Sequence, residues 1–398
     1  MTTHDLIEIL RCEARELACL VKEWREYLHQ NPEPSFKEFK TMEFVAEKLS
    51  AYKIPHQKGF CGTGVVGHIK ALVSNGTIGL RADLDALPIL ERNDVHYKSQ
   101  NEGWMHACGH DVHTAILLGA AVILQKHRAK LKNDVKLIFQ PGEEMHPGGA
   151  SLMINDGVLE NPRVEAMFAL HVYPELESGQ VGIKSGLYMA SSDEILIEIS
   201  GKAGHAALPE RCVNPLFMGS ELILALSEFI QKESPKNVPT LINFGRFEAL
   251  GSTNVIPEHA TIKGTFRTMD SHWRETAFEQ MEKIAFDLGL KYSGSIELKR
   301  SKGYPNLEND PVLTEVLWKI FQTALGEENV KELNFRMTAE DFAFYASVIP
   351  SCFFRLGVGN KKEGIVHAVH HPNFDIDSSS LETGVFSMVL IPFLYERD

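Results

Sequence analysis

The sequence predicts an α/β protein: a discontinuous larger domain built on a mostly parallel mixed sheet flanked by helices, interrupted by a smaller inserted α+β domain. Three observations predict it. The chain has 398 residues, more than the roughly 250 to 300 at which a single hydrophobic core stops growing. Its first half alternates apolar strand-like segments with a long apolar helical one, which calls for crossover connections and a parallel sheet. Near residue 191 the texture changes to half-exposed strands and amphipathic helices.

In chain order, Leu6, Leu10, Leu17, Val21, Trp24 and Leu28 recur at steps of three, four and seven residues, the stripe of an amphipathic helix. Asn31 and Pro32 end it. Residues 78–82, 135–139 and 166–170 read as strands, each followed by polar, chemically capable residues. Between the first two, residues 114–124 form a small-and-apolar run long enough for a buried helix. From residue 191, the stretch 194–200 alternates like a half-exposed strand, 214–230 reads as a helix, 240–247 and 260–268 as strands, and 274–288 as a helix. This places the inserted domain at 189–298 and the larger one at 1–188 and 299–398. The last part holds an apolar strand at 352–358, a His-rich loop and a closing helix.

With 44% hydrophobic and 23% charged residues, the composition is that of an ordinary globular protein. The formal net charge of −13 is spread without a run of like charges, which argues against nucleic acid as a partner. Six cysteines lie far apart with no Cys-x-x-Cys pair, so we expect them reduced. Asp5, Glu8, Arg11, Glu13, Arg15 and Glu16 interrupt the N-terminal apolar positions, leaving no signal-peptide core. No segment offers the roughly 18 uninterrupted apolar residues of a membrane span. We therefore expect a cytoplasmic protein without a membrane partner.

The densest chemical signal is Met105-His106-Ala107-Cys108-Gly109-His110-Asp111-Val112-His113, directly ahead of the buried helix. Thiolate and imidazole are metal ligands, and Cys108 and His110, two apart in a loop, can converge on one ion. A helix N-terminus would also lower the Cys108 pKa. The plainer reading is that some of 17 histidines cluster as helix caps and loop residues. The second signal is Gln140-Pro141-Gly142-Glu143-Glu144, where an apolar strand breaks. In an extended segment adjacent side chains point to opposite sides, so one acid could ligate metal while the other activates water; a solvated turn is the plainer alternative. His171 follows the third strand, and His370-His371 lie in the late His-rich loop. All these candidates fall beyond the ends of apolar strands, where open α/β sheets place their sites.

Taken together, these residues resemble the M20 metallopeptidase and aminoacylase family, in its amidohydrolase branch of aminoacylases, hippurate hydrolases, indole-acetyl-amino-acid hydrolases and N-acetyl-diaminopimelate deacetylases. The resemblance runs nearly end to end. It is carried by Arg25-x-x-Leu28-His29-x-x-Pro32-Glu33, Leu80-Arg81-Ala82-Asp83-Leu84-Asp85-Ala86-Leu87-Pro88, the block from His106 to His113, Gln140 to Glu144 with Gly148-Gly149-Ala150, Gly201-Lys202-Ala203-Gly204-His205, Thr253-Asn254-Val255-Ile256-Pro257, Gly264-Thr265-Phe266-Arg267, and the His370 block. The order and spacing of these pieces together are specific.

The resemblance implies a catalytic larger domain, an inserted lid and dimerisation domain, and two divalent metal ions (Zn, Mn, Co or Ni) ligated by Cys108, His110, Glu144, His171 and His370. His370 rather than His371 is implied because it opens the His-x-Pro-x-Phe run. Glu143 falls at the general base, and His205 at a histidine that polarises the scissile carbonyl, in some members from the partner subunit. Asn254 and Arg267 match positions that contact substrate. Asp83, Asp85 and Asp111 are expected behind the ligands, orienting them. Where relatives end Phe-Asp-x-Asp-Glu, this chain has Phe374-Asp375-Ile376-Asp377-Ser378. The implied reaction is hydrolysis of the amide bond of a small N-acyl amino acid by a homodimeric enzyme. The alternatives are a dipeptidase or carboxypeptidase of the same architecture, or a metal binder that has lost catalysis.

Overall fold

Helix α1 (Thr3–Gln30) starts at a capping box, in which the Thr2 hydroxyl accepts from Asp5 N and the Asp5 carboxylate from Thr2 N. Its buried stripe is Ile7, Leu10, Ala14, Val21, Trp24 and Leu28, joined by the polar Arg25 and His29. The computed structural model describes residues 2–395. After α1 come α2 (Phe39–Ala51), β1 (His56–Phe60), β2 (Gly64–Ile69), β3 (Thr77–Asp83), α3 (His110–Lys126), β4 (Asp134–Gln140), α4 (Gly149–Asn155), β5 (Ala166–Glu177) and β6 (Val181–Ile183). Next are β7 (Gly186–Met189), β8 (Asp193–Ser200), β9 (Gly204–His205), α5 (Pro215–Glu233), β10 (Thr240–Glu248), β11 (Val255–Ile256), β12 (His259–Thr268), α6 (Ser271–Lys291) and β13 (Ser295–Lys302). The chain closes with β14 (Leu307–Asn309), α7 (Pro311–Leu325), β15 (Val330–Glu332), α8 (Ala343–Ala346), β16 (Ser351–Gly359) and α9 (Ser380–Leu394).

These elements form two units. One comprises the chain up to Gly186, Glu308–Asn334, and the chain from Asp341 onward. The other comprises Leu187–Leu307 and Phe335–Glu340. The larger unit carries an eight-stranded sheet in the order β1-β2-β4-β3-β5-β16-β6-β15. Its central strands β4, β3, β5 and β16 run parallel, and β3 is buried along its whole length, as a sheet covered on both faces requires. Helix α3 is buried almost all round and packs against α1 and α9, which makes it a core helix rather than a surface one. Asp83 pairs with Gln140 in register, and His171 with Arg355. The carboxyl ends of β3 and β4, and His171 within β5, thus come to one edge of the core.

The other unit carries a four-stranded antiparallel sheet, β10-β12-β8-β13. Ile195, Ile197 and Ile199 alternate inward and meet Leu222 and Leu226 of α5 and Phe278 and Met281 of α6, the pattern of an antiparallel sheet packed on one face. Residue 298, where the sequence places the end of the inserted domain, falls inside β13, whose Ile296 and Leu298 complete this core. The antiparallel β1 and β2 that extend the large sheet were not anticipated, because β1 is a polar, mostly exposed segment without apolar alternation.

Candidate functional site

The site is built around a single glycine. Gly109 caps α3 at φ 85°, and a Cβ there would stand 2.6 Å from Val172 Cγ2, so both conformation and space demand glycine. This turn presents Cys108 just before the helix and makes His110 its first residue. Cys108 Sγ lies 3.4 Å from His171 Nε2 and 3.3 Å from His370 Nε2. Among the groups whose ligand atoms lie within 4.8 Å of one another are Cys108, His110 and His171; Cys108, Glu144 and His370; and His110, Glu143 and Glu144. The five residues named as ligands from the sequence, with Glu143, are therefore one cluster, and Cys108 is common to two of its triads.

His110 and His171 each have one nitrogen engaged by a partner outside the cluster and the other facing into it. His110 Nδ1 donates to Asp85 Oδ1 at 3.2 Å, and His171 Nδ1 donates to the Val172 carbonyl at 2.8 Å. Such partners fix tautomer and ring orientation. His113 differs. Its Nδ1 donates to Asp83 at 2.6 Å and its Nε2 accepts from Val172 N at 2.9 Å, so neither nitrogen is left for an ion, although it lies beside Asp83 and His110. Asp111, expected to orient a ligand imidazole, instead accepts from Arg25 Nε at 2.8 Å and His29 Nδ1 at 2.7 Å, and neither of these belongs to the cluster. That orienting role falls to Asp85.

The two adjacent acids do not point apart as an extended segment would have them. Gly142 takes φ 64°, and the turn brings both carboxylates to His110. Asp85 holds the turn by accepting from Glu143 N at 3.1 Å and Glu144 N at 2.9 Å. A second brace comes from residues that sequence reasoning missed. Glu38 accepts from Gly142 N at 2.9 Å and from the Thr63 hydroxyl at 2.6 Å, while Ser35 donates to Asp85 at 2.6 Å. Phe36, at φ 63°, lies over Gly142 so closely that a Cβ there would be 2.4 Å from its ring. An aromatic residue in this conformation carries strain of about 1 to 3 kcal/mol. Asp341 accepts from Gln140 Nε2, Ala150 N and Arg81, fixing the strand end before the turn. The signal for these braces was the Pro34-Ser35-Phe36 segment itself, which carries no chemistry when read alone.

The electrostatics ask for a cation. Burial, then the carboxylates of Glu144, Glu143 and Asp83, push the Cys108 thiol well up, the reverse of the lowering expected from a helix N-terminus. Burial is the larger cause, and the carboxylates add to it. Burial alone would lower the His110 pKa, but Asp83, Asp85 and Glu144 push it up to about 10. His110 Nε2 and Glu144 Oε1 are buried without a hydrogen-bond partner, a costly arrangement unless something else satisfies them. A thiol, imidazoles and carboxylates gathered around such atoms fit divalent metal ions, whose charge would reverse these pKa tendencies and displace the protons.

In the other unit, His205 and Asn254 are neighbours. His205 pairs with Val255 across β9 and β11, and Ala206 N donates to the Asn254 carbonyl at 3.0 Å. Both side chains are exposed. Arg267 is half-buried in β12, with Phe266 turned into the core beside it. Its guanidinium donates to the Met337 carbonyl at 3.2 Å, and no described carboxylate pairs with it.

Residues 79–391 match the model of Peptidase family M20/M25/M40. The chain belongs to this family. It is accordingly a metal-dependent hydrolase acting on amides. Thermostable carboxypeptidase 2 of Saccharolobus solfataricus is 33% identical over 99% of this chain and 100% of its own length. N-acetyl-L-cysteine deacetylase of Bacillus subtilis is 35% identical over 94% of this chain and 86% of its own. Among solved structures, the Bacillus subtilis YXEP protein, described as a dinuclear metal binding peptidase from the M20 family, is 30% identical with a TM-score of 0.80, covering 96% of this chain and 99% of that one. In this M20 member, among the described residues, no helix is long and apolar enough to cross a membrane, and the six cysteines are free.

Proposed function

We propose that this M20 enzyme hydrolyses the amide bond of small N-acyl amino acids, releasing a carboxylate and a free amino acid, at a site for two divalent ions. The observation that carries the reading is the pair of triads sharing Cys108, with Glu143 beside them. Cys108, His110 and His171 would hold one ion, and Cys108, Glu144 and His370 the other. Ions bound there would acidify water and polarise the amide carbonyl. Glu143 takes the proton from the attacking water and delivers it to the leaving nitrogen. His205 donates to the oxygen that gains charge, while Arg267 and Asn254 grip the α-carboxylate of the amino acid half, a role supported by an Arg267 guanidinium that bonds the Met337 carbonyl and no described carboxylate. Free cysteines support a cytoplasmic setting. Exposed Phe217, Leu224, Phe247 and Leu250 support a homodimer formed through the inserted unit.

The nearly full-length likeness to a carboxypeptidase favours a second reading, cleavage of peptides from the C-terminus. A metal binder without catalysis would have no use for Glu143. Metal-defined protein assayed on N-acetyl amino acids and on matched dipeptides separates the readings. We expect higher kcat/KM on the N-acetyl series; higher kcat/KM on the dipeptides would replace the proposal by the second reading, and inactivity on both would leave the binder.

A further inference from the structure

The Arg25-x-x-Leu28-His29 motif has no part in the chemistry above, yet both its polar side chains are buried in the core face of α1. Arg25 joins two segments of the cluster. Its Nε donates to Asp111 Oδ2 at 2.8 Å, one residue from His110, and a terminal nitrogen donates to Asp375 Oδ1 at 3.0 Å, on the loop that carries His370. Its guanidinium lies 4.7 Å from the centre of the Tyr97 ring, and the Tyr97 hydroxyl donates to the other Asp375 oxygen at 2.7 Å. One turn further along α1, His29 Nδ1 donates to the same Asp111 carboxylate at 2.7 Å.

The His370 loop needs such a hold. The side chain of His370 is 52% exposed, whereas Cys108, His110 and His171 are buried, so packing alone does not aim it. Its backbone sits at φ 67°, a conformation that persists in a non-glycine residue only where surroundings over-determine it. They do: His370 N donates to the Ala107 carbonyl at 2.7 Å, Arg92 N to the Pro372 carbonyl at 2.9 Å, and Asn93 Nδ2 to the Phe374 carbonyl at 2.9 Å. Phe374 is fully buried in the core.

We propose that Arg25 is a positioning residue that clamps the His370 loop, through Asp375, to the α3 start, through Asp111, and thereby completes the Cys108, Glu144 and His370 half of the metal site. The clamp suits a guanidinium, whose rigid planar fork holds Nε on Asp111 and a terminal nitrogen on Asp375 in fixed directions, whereas the ammonium of lysine is a compact charge on a flexible stem that fixes neither direction. The inference rests on the two-ion reading and predicts an asymmetry within it. The ion held with His370 depends on the clamp, while the ion held by Cys108, His110 and His171 does not.

The test is a titration of metal-stripped protein with zinc chloride, followed by calorimetry and elemental analysis, for wild type, Arg25→Lys, Asp375→Asn, Tyr97→Phe and, as reference, His370→Ala. Wild type should take up two ions. Arg25→Lys and Asp375→Asn should keep one at wild-type affinity and bind the other about tenfold to a hundredfold more weakly, the pattern of His370→Ala in milder form; Tyr97→Phe should move the same way by less. If Arg25→Lys does not fold, Asp375→Asn decides. Folded variants that bind both ions as wild type does, or that weaken both equally, overturn the clamp. Wild type binding fewer than two ions overturns the two-ion reading instead, a result visible before any variant is compared.

Discussion

The two groups of residues that carry the proposed chemistry are held in opposite ways. In the larger unit, Cys108, His110 and His171 are buried, and the second nitrogen of each of these two imidazoles is fixed by Asp85 or the Val172 carbonyl. In the inserted unit, Asn254 is exposed, and Arg267 spends its half-buried charge on one carbonyl. The difference separates two tasks. Groups that act on the reacting bond gain from being fixed in advance, since reorganisation during the reaction costs rate. Groups that recognise a ligand gain from being left incomplete until it arrives. Damage to the first should fall on kcat or metal content, and damage to the second on kcat/KM in a way that depends on the substrate.

The largest expected effect is at Glu143. Glu143→Gln should bind metal normally and hydrolyse about 10² to 10⁴ times more slowly, whereas Glu144→Gln should lose metal. Metal analysis beside initial rates checks this, and exchanged phenotypes would show that the division of labour between the two acids is reversed. Asp85→Asn comes next. It disturbs the His110 tautomer and the turn that presents both acids, so metal affinity or kcat should fall roughly tenfold to a hundredfold; unchanged values would mean that the preorganisation lies elsewhere. The smallest effect belongs to the other unit. Arg267→Ala should lower kcat/KM by about tenfold for a free-carboxylate substrate and leave the matching carboxamide nearly unaffected. Equal losses on both would assign Arg267 to shaping its unit and not to reading the carboxylate.

Much of this fold is legible where apolar periodicity is unbroken. Residues 78–82, 135–139 and 166–170 lie within β3, β4 and β5, and the apolar run at 114–124 lies within α3. Segments such as β1, polar and stabilised by pairing along the sheet, leave no such trace. At the site, motif spacing brings the candidate ligands to notice, but it does not contain the turn at Gly142, so the side-by-side placement of Glu143 and Glu144 is not readable from alternation. Nor could spacing distinguish Asp85 from Asp111. Asp111 adjoins His110 in the chain, but at the first turn of α3 it points to α1 and Arg25, whereas Asp85 reaches His110 from the loop after β3. The braces at Ser35, Phe36 and Glu38 act through hydrogen bonds and contacts across the fold that only tertiary structure makes visible.

The central claim is that one thiol serves both halves of a metal site, and Cys108→Ala tests it most directly. Elemental analysis of the purified, folded variant after dialysis against wild-type amounts of metal should find both ions depleted, with hydrolysis of N-acetyl amino acids lost alongside. Full metal occupancy in Cys108→Ala would contradict the account.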